Sequence, residues 1–240
     1  MKKVICIMLS MIILCFAATT LSEAISPGDI ITLGHYEQDN NPDNGPEPIE
    51  WMVLDTQDGK ALLLSKYGLD MKPYNTELED ITWETCTLRA WLNSDFLESA
   101  FSTEEQSAIL ATEVDNNDAQ GYSDWNTTGG NNTQDRLFLL SYNEANRYLG
   151  VKYVLDDNSE NVTSRVAPTD YAIAQGAWVA NKQQTTEDKP SGWWWLRSPG
   201  EFQIYVGIVI SDGSFSGTNL NFDHSTVRPA LWLDLNSGIF

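Results

Sequence analysis

Asp39, Asn41 and Asp43 stand at alternating positions, and Glu50 follows where a twelve-residue loop would place a bidentate carboxylate. Oxygen ligands at that spacing suit calcium, a hard cation. The loop departs from the pattern at its sixth position, which holds Asn44, with Gly45 one place late. Its flanks also alternate like strands rather than helices. Asp39, Asn41 and Asp43 are therefore candidate calcium ligands. The competing reading is a polar hairpin tip turned by Pro42, Pro46 and Pro48. A second, weaker oxygen cluster is Asp115-Asn116-Asn117-Asp118.

Other chemistry finds less support. The turn Gly213-Ser214-Phe215-Ser216-Gly217 has Phe215 where a nucleophile elbow needs serine. The two histidines, His35 and His224, form no base–nucleophile pattern with a serine. Glycoside hydrolysis needs two carboxylates at a set separation; acidic residues are abundant, but no signature selects a pair, so a secreted hydrolase stands as the alternative function.

A binding face is the leading expectation. Tyr122 and Trp125 lie in a loop rich in Gly, Asn, Ser and Thr, and Asn219, Asn221 and Phe222 lie in another. Rings on polar loops present apolar faces while amides bond hydroxyl groups. These five residues are the candidate contacts for an extracellular saccharide or protein ligand. Arg197 and Arg228 sit inside apolar runs, where a guanidinium needs a partner. Both are expected to make structural ion pairs.

These residues must be positioned by elements read in turn along the chain. Lys2-Lys3, the apolar run from Val4 to Ala18, and Ser22 and Ala24 at positions −3 and −1 of a cut after Ala24 lay out a signal peptide over residues 1–24. Secretion follows, with residues 25–240 forming one domain. Losing Lys2, Lys3 and Glu23 takes 14 basic and 34 acidic residues to 12 and 33, so the net charge moves from −20 to −21. Such a chain is repelled by nucleic acid and anionic lipid, and no later segment is apolar enough to span a membrane. Cys6 and Cys15 leave with the signal, so Cys86 remains alone, and its amphipathic helical setting makes it a buried apolar side chain.

Ile30 to Tyr36, Ile49 to Leu54 and Ala61 to Ser65 read as a β-meander, with Asp58-Gly59 as a hairpin turn. Leu88, Trp91, Leu92, Phe96 and Leu97 recur at helical spacing. Ser102 with Glu105 and Ser141 with Glu144 are capping boxes, and Pro168-Thr169-Asp170 opens a short helix. Leu137 to Leu140 reads as a strand. Trp193 to Gly200, Tyr205 to Gly213 and Val227 to Leu233 form a closing β-block. The fold class is α+β: an N-terminal meander, two or three short helices, and a closing sheet with long loops.

The ordered motifs Thr87-Leu88-Arg89-Ala90-Trp91-Leu92-Asn93, Phe138-Leu139-Leu140-Ser141, Trp195-Leu196-Arg197-Ser198 and Val227-Arg228-Pro229-Ala230-Leu231 resemble an uncharacterised family of secreted bacterial domains abundant in gut Firmicutes. The resemblance spans about Gly28 to Leu235. That family is in turn similar, more distantly, to the C-type-lectin-like fold of formylglycine-generating enzymes and variable ligand-binding proteins. It implies a single lectin-like domain whose ligand face lies late in the chain. It implies no oxidase activity, since one cysteine supplies no redox pair.

Overall fold

A computed structural model describes residues 24–155, 161–181, 185–186 and 188–239. The expected signal sequence, apart from Ala24, lies outside the described residues. The meander forms as expected: β1 (Ile30–Tyr36), β2 (Glu47–Gln57) and β3 (Lys60–Ser65) pair antiparallel. Asp58 and Gly59 turn the β2–β3 hairpin, both with positive φ (50° and 74°). Two positive values in succession are what a tight primed turn requires.

After β4 (Asp70–Met71) the chain enters one helical stretch: α1 (Thr87–Trp91), a π turn (Leu92–Phe96) and α2 (Leu97–Ala100). The π turn has an identifiable cause in Asn93. Its side-chain oxygen accepts from the Arg136 and Leu137 amides at 2.9 and 3.1 Å, and its Nδ2 donates to the Leu137 and Arg89 carbonyls. A side chain that bonds the helix's own carbonyl and a neighbouring strand segment widens the turn by one residue. Trp91 and Phe96, five apart, thereby meet ring to ring at 5.1 Å. Then α3 (Thr103–Ala108) starts at the expected Ser102–Glu105 capping box.

β5 (Thr112–Val114) pairs with β6 (Thr133–Asp135), and α4 (Tyr142–Leu149) starts at the Ser141–Glu144 box. α5 (Asp170–Ala174) is capped by Thr169. A small hairpin, β7 (Thr185–Thr186) with β8 (Lys189–Pro190), leads to β9 (Trp194–Pro199), β10 (Tyr205–Val209), β11 (Phe215–Asn219), β12 (Thr226–Val227) and β13 (Ala230–Asp234).

Two sheets carry the fold. The first has order β1-β2-β3-β13, and the second β11-β10-β9-β12-β4. The last strand thus docks on the third, joining both ends of the chain. Between and beside the sheets lies a core holding Trp51, Trp83, Trp194 and Trp195. The mixed, strand-rich architecture agrees with an α+β class, with five short α-helices among the described residues rather than two or three. Leu137 to Leu140 is fully buried but makes one isolated bridge, Phe138 to Ala230, in place of a strand. Its backbone serves Asn93 and Arg197 instead. Conversely, part of the loop expected after Ser214 is β11. Among the described residues no helix is long and apolar enough to cross a membrane.

Arg197 behaves as expected. Its guanidinium pairs with Glu144 and donates to Asn116 Oδ1 and the Leu139 and Asp115 carbonyls. Arg228 does not. It is buried, donates from Nε to the Ser65 carbonyl at 2.9 Å, touches Met52 Sδ and stacks over Trp194 at 4.9 Å. No described carboxylate pairs with it, and its Nη1 has no partner. The expected ion pair is replaced by a carbonyl and a ring face. Cys86 is 2% exposed; burial pushes its thiol up to about 12, so it stays a protonated packing group.

Candidate functional site

The site is built on one face of the second sheet. Directly paired residues of neighbouring strands point to the same side. Val209 pairs with both Trp194 and Phe215, so these share one face. Trp195 pairs with Ile208, which pairs with Ser216, and these share the other. The expected ligand residues divide between the two faces. Tyr122 and Trp125 pack against buried Phe215, with Trp125 at 5.0 Å, and join Tyr142 and Tyr153 in a closed cluster of half-buried rings. Those rings fill space against each other. Phe222 lies instead on the opposite face, against Trp193 and Trp195. Asn219 ends β11 and Asn221 follows it, both exposed.

On Phe222's face a continuous run of rings reaches the surface. Trp178 contacts Trp193 at 4.9 Å, Trp193 stacks on Phe222 at 5.5 Å and 27°, and Phe222 meets His224 at 5.2 Å. Trp178 is 39% exposed, and His224 and Asp223 stand at the rim. Local bonds hold the run in place. The Trp178 amide donates to the His224 carbonyl, His224 Nδ1 lies 3.0 Å from the Gly176 carbonyl, and the Thr226 amide and hydroxyl both donate to the Trp193 carbonyl. Gly176, with φ 113°, turns the chain from α5 toward Trp178. The Trp193 Nε1 and the Ser225 hydroxyl are buried without partners among the described residues.

Trp178 and Trp193 are absent from the expected site. Trp193 reads as sheet scaffold in sequence. Trp178 lies in Gly176-Ala177-Trp178-Val179-Ala180, where nothing local tells an exposed ring from a buried one.

The expected calcium loop is arranged differently from its spacing. Asp39 comes together with Glu37 and Glu47, whose ligand oxygens lie within 4.8 Å of one another, and Asp43 is not in that group. These oxygens hold the loop backbone. Asp39 accepts from the Asn41 amide and from Asn44 Nδ2, Glu37 from the Asn41 amide, and Glu47 from the Gln38 and Asp39 amides. Glu50 sits on β2 and pairs with Lys66 at 3.2 Å.

A shallow hollow of about 240 Å³ beside Glu144, Arg147 and Tyr148 offers polar groups, but Glu144 is already committed to Arg197. What the fold and surface define is a strand-rich α+β domain with a ring-lined patch. By family profile, residues 58–235 match the domain of unknown function DUF6273, and the chain belongs to that family. No curated protein and no solved structure matches it.

Proposed function

We propose that the chain is a secreted, non-catalytic binding module of C-type-lectin-like fold that holds a saccharide on the ridge Trp178–Trp193–Phe222–His224. One observation carries this reading: four rings in unbroken contact, opening to solvent at Trp178 and flanked by exposed Asn221 and Asp223. A flat ring surface suits the C–H face of a pyranose, and the flanking amide and carboxylate suit its hydroxyls. The ridge lies late in the chain, in keeping with the lectin-like resemblance. Secretion follows from the signal layout of residues 1–24. The loop is held without recourse to calcium, since Asp39 accepts from the Asn41 amide and Asn44 Nδ2.

The alternative, a glycoside hydrolase, needs a carboxylate pair free to act on a bond. The acidic group at Glu37, Asp39 and Glu47 already serves backbone amides, which disfavours that role. The test is a glycan array run with the mature chain and its Trp178→Ala variant, beside an assay for released sugar. Retained glycan lost in the variant, with no product, is the expected result. Product release would overturn the binding-module reading. Retention of a protein but of no glycan would overturn the saccharide.

A further inference from the structure

We infer that the ridge takes a cationic saccharide, an oligomer of protonated hexosamine; this rests on the saccharide reading above and names its charge class. Ring faces carry negative quadrupole potential and attract ammonium groups. The charges nearest the ridge point the same way. Asp223 is exposed at its rim, beside His224.

A second acidic group lies at the other end of α5. The helix connects the two groups. Its Tyr171 amide donates to the Gln38 carbonyl, next to the carboxylates of Glu37, Asp39 and Glu47. Its C-terminal side ends at Gly176, against Met71 and the Asp223 backbone. Five helical residues span about 7.5 Å, so acidic groups bracket a short surface with rings at one end. Among the described residues, Lys72 at this edge pairs with Asp70 at 3.4 Å and lies over Trp91. The net charge of −20 adds a long-range field of the same sign. A hexosamine oligomer offers what both features ask for, repeating C–H faces and repeating ammonium groups. An acidic glycan meets the repulsion of Asp223 and of the group at Glu37, Asp39 and Glu47.

The experiment compares four soluble probes on the mature chain by calorimetry in low-salt, weakly acidic buffer: glucosamine hexamer, N-acetylglucosamine hexamer, galacturonate hexamer and lysine hexapeptide. His224 stands at the rim beside Asp223, so His224→Gln is measured in parallel. The expected result is glucosamine hexamer binding about tenfold tighter than its acetylated form. That preference shrinks as salt is raised and is lost in Trp178→Ala. Equal affinity for the two hexamers, with both weakened by Trp178→Ala, overturns the charge class and leaves the saccharide ridge standing. Tightest binding of the galacturonate hexamer does the same. Failure of all three glycans overturns the reading beneath it. Tighter binding of the lysine hexapeptide than of any glycan overturns the saccharide as occupant.

Discussion

Arg228 carries a full charge into a site that answers it with one carbonyl, a thioether and a ring face. Burial alone pushes its pKa down, to about 9, so it remains cationic at neutral pH. Replacing buried ionic groups by apolar side chains of similar length is often neutral or stabilising. Arg228→Met is therefore expected to keep or raise the melting temperature; a loss above about 3 kcal/mol would reveal a compensating charge. Glu144 behaves in the opposite way. Burial raises its carboxyl pKa, but the Arg197 guanidinium and the Ser141 amide and hydroxyl outweigh that and hold it below the ordinary range. A depressed carboxyl pKa adds stability that is complete above the unfolded value of about 4.3. That stability is lost as pH falls through the lower folded value. Chemical denaturation across that acid range should show the wild type losing stability more steeply than Glu144→Gln; equal slopes would contradict the pairing. In sequence, Arg197 and Arg228 look alike, each an arginine in an apolar run. Which one finds a carboxylate depends on α4 docking beside β9, a long-range event that neither run encodes.

At the scale of elements, Asn93 latches the helical stretch to the segment before Phe138. Asn93→Ala leaves the Arg136 and Leu137 amides without their acceptor, a cost of about 2–4 kcal/mol. Asn93→Asp keeps the acceptor but sets a carboxylate oxygen against the Arg89 and Leu137 carbonyls, so denaturant titration should show it destabilised as well. Alanine as stable as wild type would show the latch to be incidental. The capping boxes at Ser102 and Ser141 and the Asp58-Gly59 turn are legible in sequence because each acts within four residues. The meander is legible because alternation reports a half-buried sheet. β11 is not: Phe215-Ser216-Gly217-Thr218-Asn219 has one apolar side chain and a glycine, and becomes a strand by pairing with β10, with Trp125 close over Gly217. The ridge is hidden for the same reason. Trp178, Trp193 and Phe222 come from three separated segments, and their adjacency belongs to the packed sheet.

Across the whole molecule, the family match begins at Asp58, inside the hairpin between β2 and β3. The first two strands lie before it, yet they bury Leu33, Ile49, Trp51 and Val53 in the common core. A chain starting at Asp58 would leave one edge of β3 unpaired and the facing side of Phe101 and Leu97 uncovered. It is expected to lose near-ultraviolet dichroism and cooperative unfolding, whereas a chain starting at Ile25 keeps both. Cooperative melting of the shorter chain would show that the family region folds alone.

The pairing of β13 with β3 sets a timetable for the nascent chain. Ala230 meets Leu64, and the Arg228 side chain reaches the Ser65 carbonyl 163 residues earlier. The first sheet therefore cannot close until Ala230 to Asp234 have been made. A chain stalled anywhere before Ala230 keeps β3 as an open edge. Closing contacts across so much sequence is slow, and until they close β3 presents an unpaired edge to neighbouring strands.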